Sequence, residues 1–146
     1  MNKESIMKWI VLGLVALFTF GCAAVPLAPE QKERVYQADY DRTWFAVLDV
    51  LNERVIPLTI VQKDSGLIIT DVVEARTGMI GWFKLNISVR QQWSATKVRI
   101  DGRFEYFNQS GSFDLGRWEV QESTGKLESE LFQSIEKKLA ATLAKE

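Results

Sequence analysis

Side chains that perform acid–base, nucleophilic or metal chemistry are sparse in this chain and poorly spaced for it. Histidine is absent from all 146 residues, which removes the commonest general base and metal ligand. The single cysteine, Cys22, excludes an internal disulfide. Without histidine it leaves no zinc site, no Ser-His-Asp triad and no Cys-His pair. Two carboxylate pairs remain. Asp39 and Asp41 flank Tyr40 where an amphipathic stretch begins, and capping of helix N–H groups explains them. Asp101 and Glu105 alternate with Arg99 and Arg103, a spacing that pairs charges along one wet strand face. Gly78 and Gly81 lack the helix start and the lysine of a phosphate loop. No residue is nominated as catalytic, as a metal ligand or as a cofactor holder, and the chain reads as a non-enzyme. The net charge of −1 gives no electrostatic footprint for nucleic acid.

The position of Cys22 is the most informative feature. Thirteen uncharged residues, Trp9 to Gly21, precede it, and Lys3 and Lys8 precede those. A helix that crosses a bilayer needs about 20 apolar residues; this run is too short and has the form of a secretory signal. The Gly21-Cys22 junction at its end resembles a bacterial lipoprotein signal, although Thr19 and Phe20 depart from that family's usual residues. The resemblance implies a signal peptide over residues 1–21 and acyl chains on Cys22 that hold the protein to a membrane. Several acyl chains together give stable membrane residence. Ala23 is not the Asp that favours inner-membrane retention in enteric-type lipoproteins. The resemblance therefore implies an outer-membrane location facing the periplasm. An ordinary signal with an incidental cysteine, or a buried core cysteine, is the alternative. Residues 22–33, with Pro26 and Pro29, read as a lipidated tether, because proline disfavours helix and stiffens an extended path.

Residues 34–146 read as one α+β domain. "RVYQAD" alternates as a short strand. The stretch from Asp39 to Val55 reads as a helix, with Trp44, Val47, Leu48, Leu51 and Val55 on one face and Pro57 as terminator. Pro57–Gln62 and Leu67–Glu74, split by the turn residues Asp64, Ser65 and Gly66, form a hairpin. Phe83, Leu85, Ile87 and Val89 alternate with polar residues, as do Val98, Ile100, Phe104 and Tyr106. That period of two predicts an antiparallel sheet with one wet face. "NQSGSFDLGRWEV" reads as a turn and an edge strand. Leu127, Leu131, Phe132, Ile135, Leu139 and Leu143 form the stripe of a long C-terminal helix, with Glu128, Glu130, Glu136, Lys137 and Lys138 on the rest. The expected architecture is a curved antiparallel sheet of four to six strands that grips the long helix, with the shorter N-terminal helix beside it.

"YQADYDRTWFAVLDVL" followed by "VQKDSGLIITD" resembles the helix-grip domains of BamC-like (NlpB/DapX) outer-membrane lipoproteins. The matching residues are Asp41, Trp44, Leu48 and Leu51, then Asp64, Gly66, Leu67 and Ile68. The resemblance covers about residues 36 to 72 and implies a role in outer-membrane assembly or maintenance.

"GMIGWF", Gly78 to Phe83, is more apolar than a solvated loop requires. Met79, Ile80 and Trp82 either fold back over the end of the sheet or contact a partner protein, a small ligand or lipid. Trp93, Phe107, Phe113 and Trp118 form a second aromatic group near strand ends and read as core caps. The function expected is a lipid-anchored periplasmic module that binds envelope proteins. The alternative is a carrier of small apolar or lipid ligands in a sheet–helix cavity.

Overall fold

The computed structural model describes residues 28–74, 81–108 and 116–143. The expected lipidation site Cys22 and the loop residues Met79 and Ile80 lie outside the described residues, as do Phe113 and residues 1–27. The order of elements is α1 (Pro29–Lys32), β1 (Glu33–Tyr36), α2 (Tyr40–Glu53), β2 (Leu58–Gln62), β3 (Leu67–Thr70), β4 (Val73–Glu74), β5 (Gly81–Gln92), β6 (Ala95–Asn108), β7 (Arg117–Gln121) and α3 (Lys126–Leu143). Part of the expected tether is thus structured. Pro29 opens a single helical turn, a position where its missing N–H has no helical partner to lose.

The strands form one curved, unclosed antiparallel sheet in the order β1-β6-β5-β3-β2. Seven strands appear where four to six are expected, because two of the five positions are shared. β3 and β4 follow one another along β5. β1 and β7 lie end to end along β6, beside residues 96–99 and 104–108. At the break between β3 and β4 the buried Thr70 Oγ1 accepts the Leu85 N–H at 2.9 Å, so the ladder keeps its bond. Both long helices cover one sheet face. Trp44, Val47, Val50 and Leu51 of α2 and Leu131, Phe132 and Ile135 of α3 meet Ile68, Leu85, Ile87, Val89, Val98 and Ile100 in one core.

Local signals explain most of this. Asp39 accepts the Arg42 N–H at 2.9 Å and caps α2. The β2–β3 turn closes through Gly66 at φ 66°; its carbonyl accepts the Val89 N–H at 2.8 Å. The outer face of the sheet pairs its charges as expected: Arg99 with Asp101 at 2.6 Å and Arg103 with Glu105 at 2.8 Å. Two expectations fail. Val55 is not part of the buried stripe: α2 stops at Glu53, and Val55 is exposed at φ 55° while Ile56 enters the core. The described members of the aromatic group near the strand ends, Trp93, Phe107 and Trp118, do not cap the core. Trp93 is fully exposed at a hairpin tip, and Phe107 and Trp118 lie on the outer face, because strand alternation turns them away from the helices.

Candidate functional site

Trp82 is the second residue of β5, paired with Glu105 of β6 and Glu74 of β4. Its neighbour Phe83 points inward against Phe104, with 6.0 Å between ring centroids. Alternation therefore puts Trp82 on the outer face. There its indole lies flat on Trp118 of β7, with centroids 3.6 Å apart and planes 17° from parallel. Trp82 Nε1 donates to Glu105 Oε2 at 3.0 Å, which satisfies the indole and fixes its orientation. Phe107 stands beside Trp118 at 5.3 Å and 57°. Trp118, Val120 and Val72 are exposed around the stack.

The edge of this aromatic ledge is charged. A shallow groove beside Trp82 is lined by Val72, Lys84, Arg103 and Glu105. Lys84 and Arg103 sit directly opposite one another in the ladder, an arrangement of like charges that weakens a sheet unless a counter-charge is near. Glu105 supplies one to Arg103. Aromatic side chains ringed by polar ones are the composition of a protein-binding patch.

The inner face of the same end of the sheet carries a cleft of about 550 Å³. It opens between β5, β6 and β7 and the first turns of α3, with Phe83, Phe104, Tyr106 and Leu127 among its walls. On its β7 side Tyr106 Oη donates to Glu119 Oε2 at 2.7 Å. Arg117 and Asn108 bond the other carboxylate oxygen. The bond from Tyr106, then those from Arg117 and Asn108, hold the Glu119 carboxyl down at about 2. The same bond pushes the Tyr106 hydroxyl above its ordinary range.

Next to this cleft stands Glu128, fully buried in the first turn of α3. Its Oε2 accepts from Ser123 Oγ at 2.7 Å, and Ser123 Oγ in turn accepts the Gly125 N–H at 3.0 Å. Glu128 Oε1 has no hydrogen-bond partner among the described residues. Gly102 makes room for it: a Cβ there would stand 2.9 Å from that oxygen and 2.6 Å from the Phe104 ring. The expectation that Glu128 shares the polar face of α3 is therefore wrong. The signal was available, since Glu128 precedes Leu131, Phe132, Ile135 and Leu139 by three, four, seven and eleven residues, the spacing of one helix face.

Of the expected contact residues, Trp82 faces outward in a built aromatic site. No local signal links it to Trp118, whose strand adjoins the far edge of β6. Among the described residues no group of three or more His, Cys, Asp or Glu side chains is arranged to hold a metal ion. A scan against protein-family models and a search of curated proteins found no match to this sequence.

Proposed function

We propose that this chain is a lipid-anchored protein of the bacterial outer membrane, held through Cys22 and facing the periplasm, whose domain binds another envelope protein through the Trp82–Trp118 face. The observation that carries the reading is the aromatic ledge itself. Stacked indoles with exposed Trp118, Val120 and Val72 lie on the sheet face opposite the helices, where they add nothing to the core. Tryptophan and arginine are the residues on which binding energy concentrates at protein interfaces. The resemblance of residues 36–72 to BamC-like domains supports an envelope role, and the signal-like first 22 residues support the anchor.

Two variants test the two halves separately. Cys22→Ser should move the protein out of the membrane fraction while its domain stays folded; retention in the membrane pellet refutes the anchor. Trp118→Ala should lose a stoichiometric partner that wild type retains when purified from solubilised envelopes. Equal recovery with both proteins, or no partner with either, refutes the binding face.

The inner cleft favours a second reading, a carrier of small apolar ligands. Its volume of about 550 Å³ lies within the common range of small-molecule sites. Native mass spectrometry of the protein from its own envelope would reveal a bound mass; bare polypeptide would exclude the carrier.

A further inference from the structure

Trp93 combines two features that each work against the isolated domain. Its side chain is 99% exposed, and its backbone lies in the left-handed region at φ 53°. It occupies the first position of the two-residue turn between β5 and β6, where Gln92 and Ala95 close the hairpin. Glycine, asparagine or aspartate normally takes such a position, because a bulky side chain there is strained. Among the described residues no ring or ion packs on the indole, and its one described bond is backbone: Gln91 Nε2 donates to the Trp93 carbonyl at 2.8 Å. A strained residue that its own fold does not use points to a use outside it.

We infer that Trp93 inserts into the headgroup boundary of the bilayer to which Cys22 is anchored, as a second, non-covalent membrane contact. The inference rests on the anchored reading above. Indole is suited to that boundary, with an apolar body and one N–H that stays wet. The surroundings favour lipid over protein. Gln91, Gln92 and Ser94 are all polar and exposed, so the indole stands alone at the tip, without the cluster of apolar and aromatic side chains that forms the buried centre of a protein interface. Nearby charges balance. Arg42 pairs with Asp39 and Lys63 with Asp41, while Asp64 and Arg90 share one shallow depression. The contact is therefore apolar rather than electrostatic.

Chain length permits it. The six residues from Cys22 to Ala28 span at most about 20 Å. Lys32 is bridged to Asp101 at 3.6 Å; eight residues of extended strand from there to Trp93 cover about 26 Å. With the strands tilted on the surface, the anchor and the tip reach the same bilayer. The hairpin tip then faces the membrane, and the Trp82–Trp118 ledge, at the opposite end of β5 and β6, faces away from it.

The test uses the mature chain reconstituted in phosphatidylethanolamine vesicles, with and without phosphatidylglycerol, containing acyl-brominated phosphatidylcholine as quencher. Wild type and Trp93→Gly are compared. Bromolipid should quench wild-type tryptophan emission, and Trp93→Gly should lose most of that quenching while it still floats with the vesicles, regardless of phosphatidylglycerol. A melting temperature at or above wild type would show that the loss is not unfolding, since glycine relieves the strained turn. Equal quenching in the two proteins, or an indole at position 93 still open to aqueous iodide as a protein-facing residue would be, overturns the inference and leaves the anchor standing. A chain that does not float with the vesicles overturns both.

Discussion

Tyr36→Phe should weaken the domain at neutral pH and strengthen it relative to wild type in strong alkali. Tyr36 ends β1, is 9% exposed and donates its hydroxyl to the Phe132 carbonyl of α3 at 3.0 Å. That carbonyl is also a helical acceptor, so phenylalanine leaves no orphaned group. The loss at about pH 8 is then that of one hydrogen bond, about 1 kcal/mol. Burial pushes the Tyr36 hydroxyl well above the ordinary phenol range, with Arg34 opposing and Glu136 adding. The folded state thus holds its proton when the unfolded chain has released it. Such a group stabilises fully below the unfolded value of about 10, and its contribution declines as pH rises through that value toward the folded one. At pH 11 about ten elevenths of unfolded chains have ionised here, which removes about 1.4 kcal/mol from wild type and nothing from the variant. The two stability curves should therefore cross near pH 10.7, where about 1 kcal/mol has been removed. Tyr40 and Tyr106, also pushed upward, are common to both proteins and cancel in the difference. Urea unfolding followed by far-ultraviolet circular dichroism at several pH values measures it. A difference that stays constant from about pH 8 to pH 11 would refute the buried, hydrogen-bonded Tyr36.

Three further outcomes follow from the same geometry. Gly66→Ala forces a side chain into φ 66° with its Cβ 2.0 Å from the Val89 carbonyl oxygen; it should destabilise by at least about 2 kcal/mol and lower Tm by about 8 °C, and a variant that melts with wild type would contradict the turn. A double-mutant cycle of Trp82→Ala and Trp118→Ala should give a coupling of about 0.5–1.5 kcal/mol in urea unfolding; additive effects would mean that the rings do not stack in solution. The hydrogen bond from Arg99, reinforced by Lys32, holds the Asp101 carboxyl below its usual range, while burial opposes it. A depressed carboxyl stabilises above its unfolded value of about 4 and loses that effect as pH falls toward the folded one. Asp101→Asn should therefore show a shallower acid limb in a pH titration of ellipticity; an unchanged limb would remove Asp101 from acid unfolding.

Where the sequence was readable, the signal was local and periodic. Asp39 before an amphipathic run locates α2, and alternation in β5 and β6 assigns inner and outer faces correctly from Phe83 to Tyr106. Contacts set by tertiary neighbours were not readable. Trp82 and Trp118 stack across an intervening strand, and no spacing along the chain encodes that. For Glu128 the helix spacing gives the buried face, but the space that receives its carboxyl, left by Gly102 on a strand 26 positions earlier, is a tertiary feature that no local pattern encodes.

Among the described residues two non-glycine residues adopt left-handed backbone, Val55 and Trp93, and both were unreadable because turn signals rely on Gly, Asn and Asp. They differ in what the fold gains. At Val55 the strain closes α2: the Val55 N–H reaches the Asn52 carbonyl, the Ile56 N–H reaches the Leu51 carbonyl, each at 3.0 Å, and Ile56 enters the core. The helix end is satisfied and an apolar side chain is buried, which offsets a cost of about 1 kcal/mol or more. At Trp93 the turn needs only two residues of any compatible type; Asn-Gly would close it without strain. The domain keeps a large apolar ring there, where it destabilises both backbone and hydration. Local rules broken without an internal gain mark sites used for something beyond folding. By that criterion Val55 is a structural residue, whereas Trp93 belongs to the way the protein meets its surroundings.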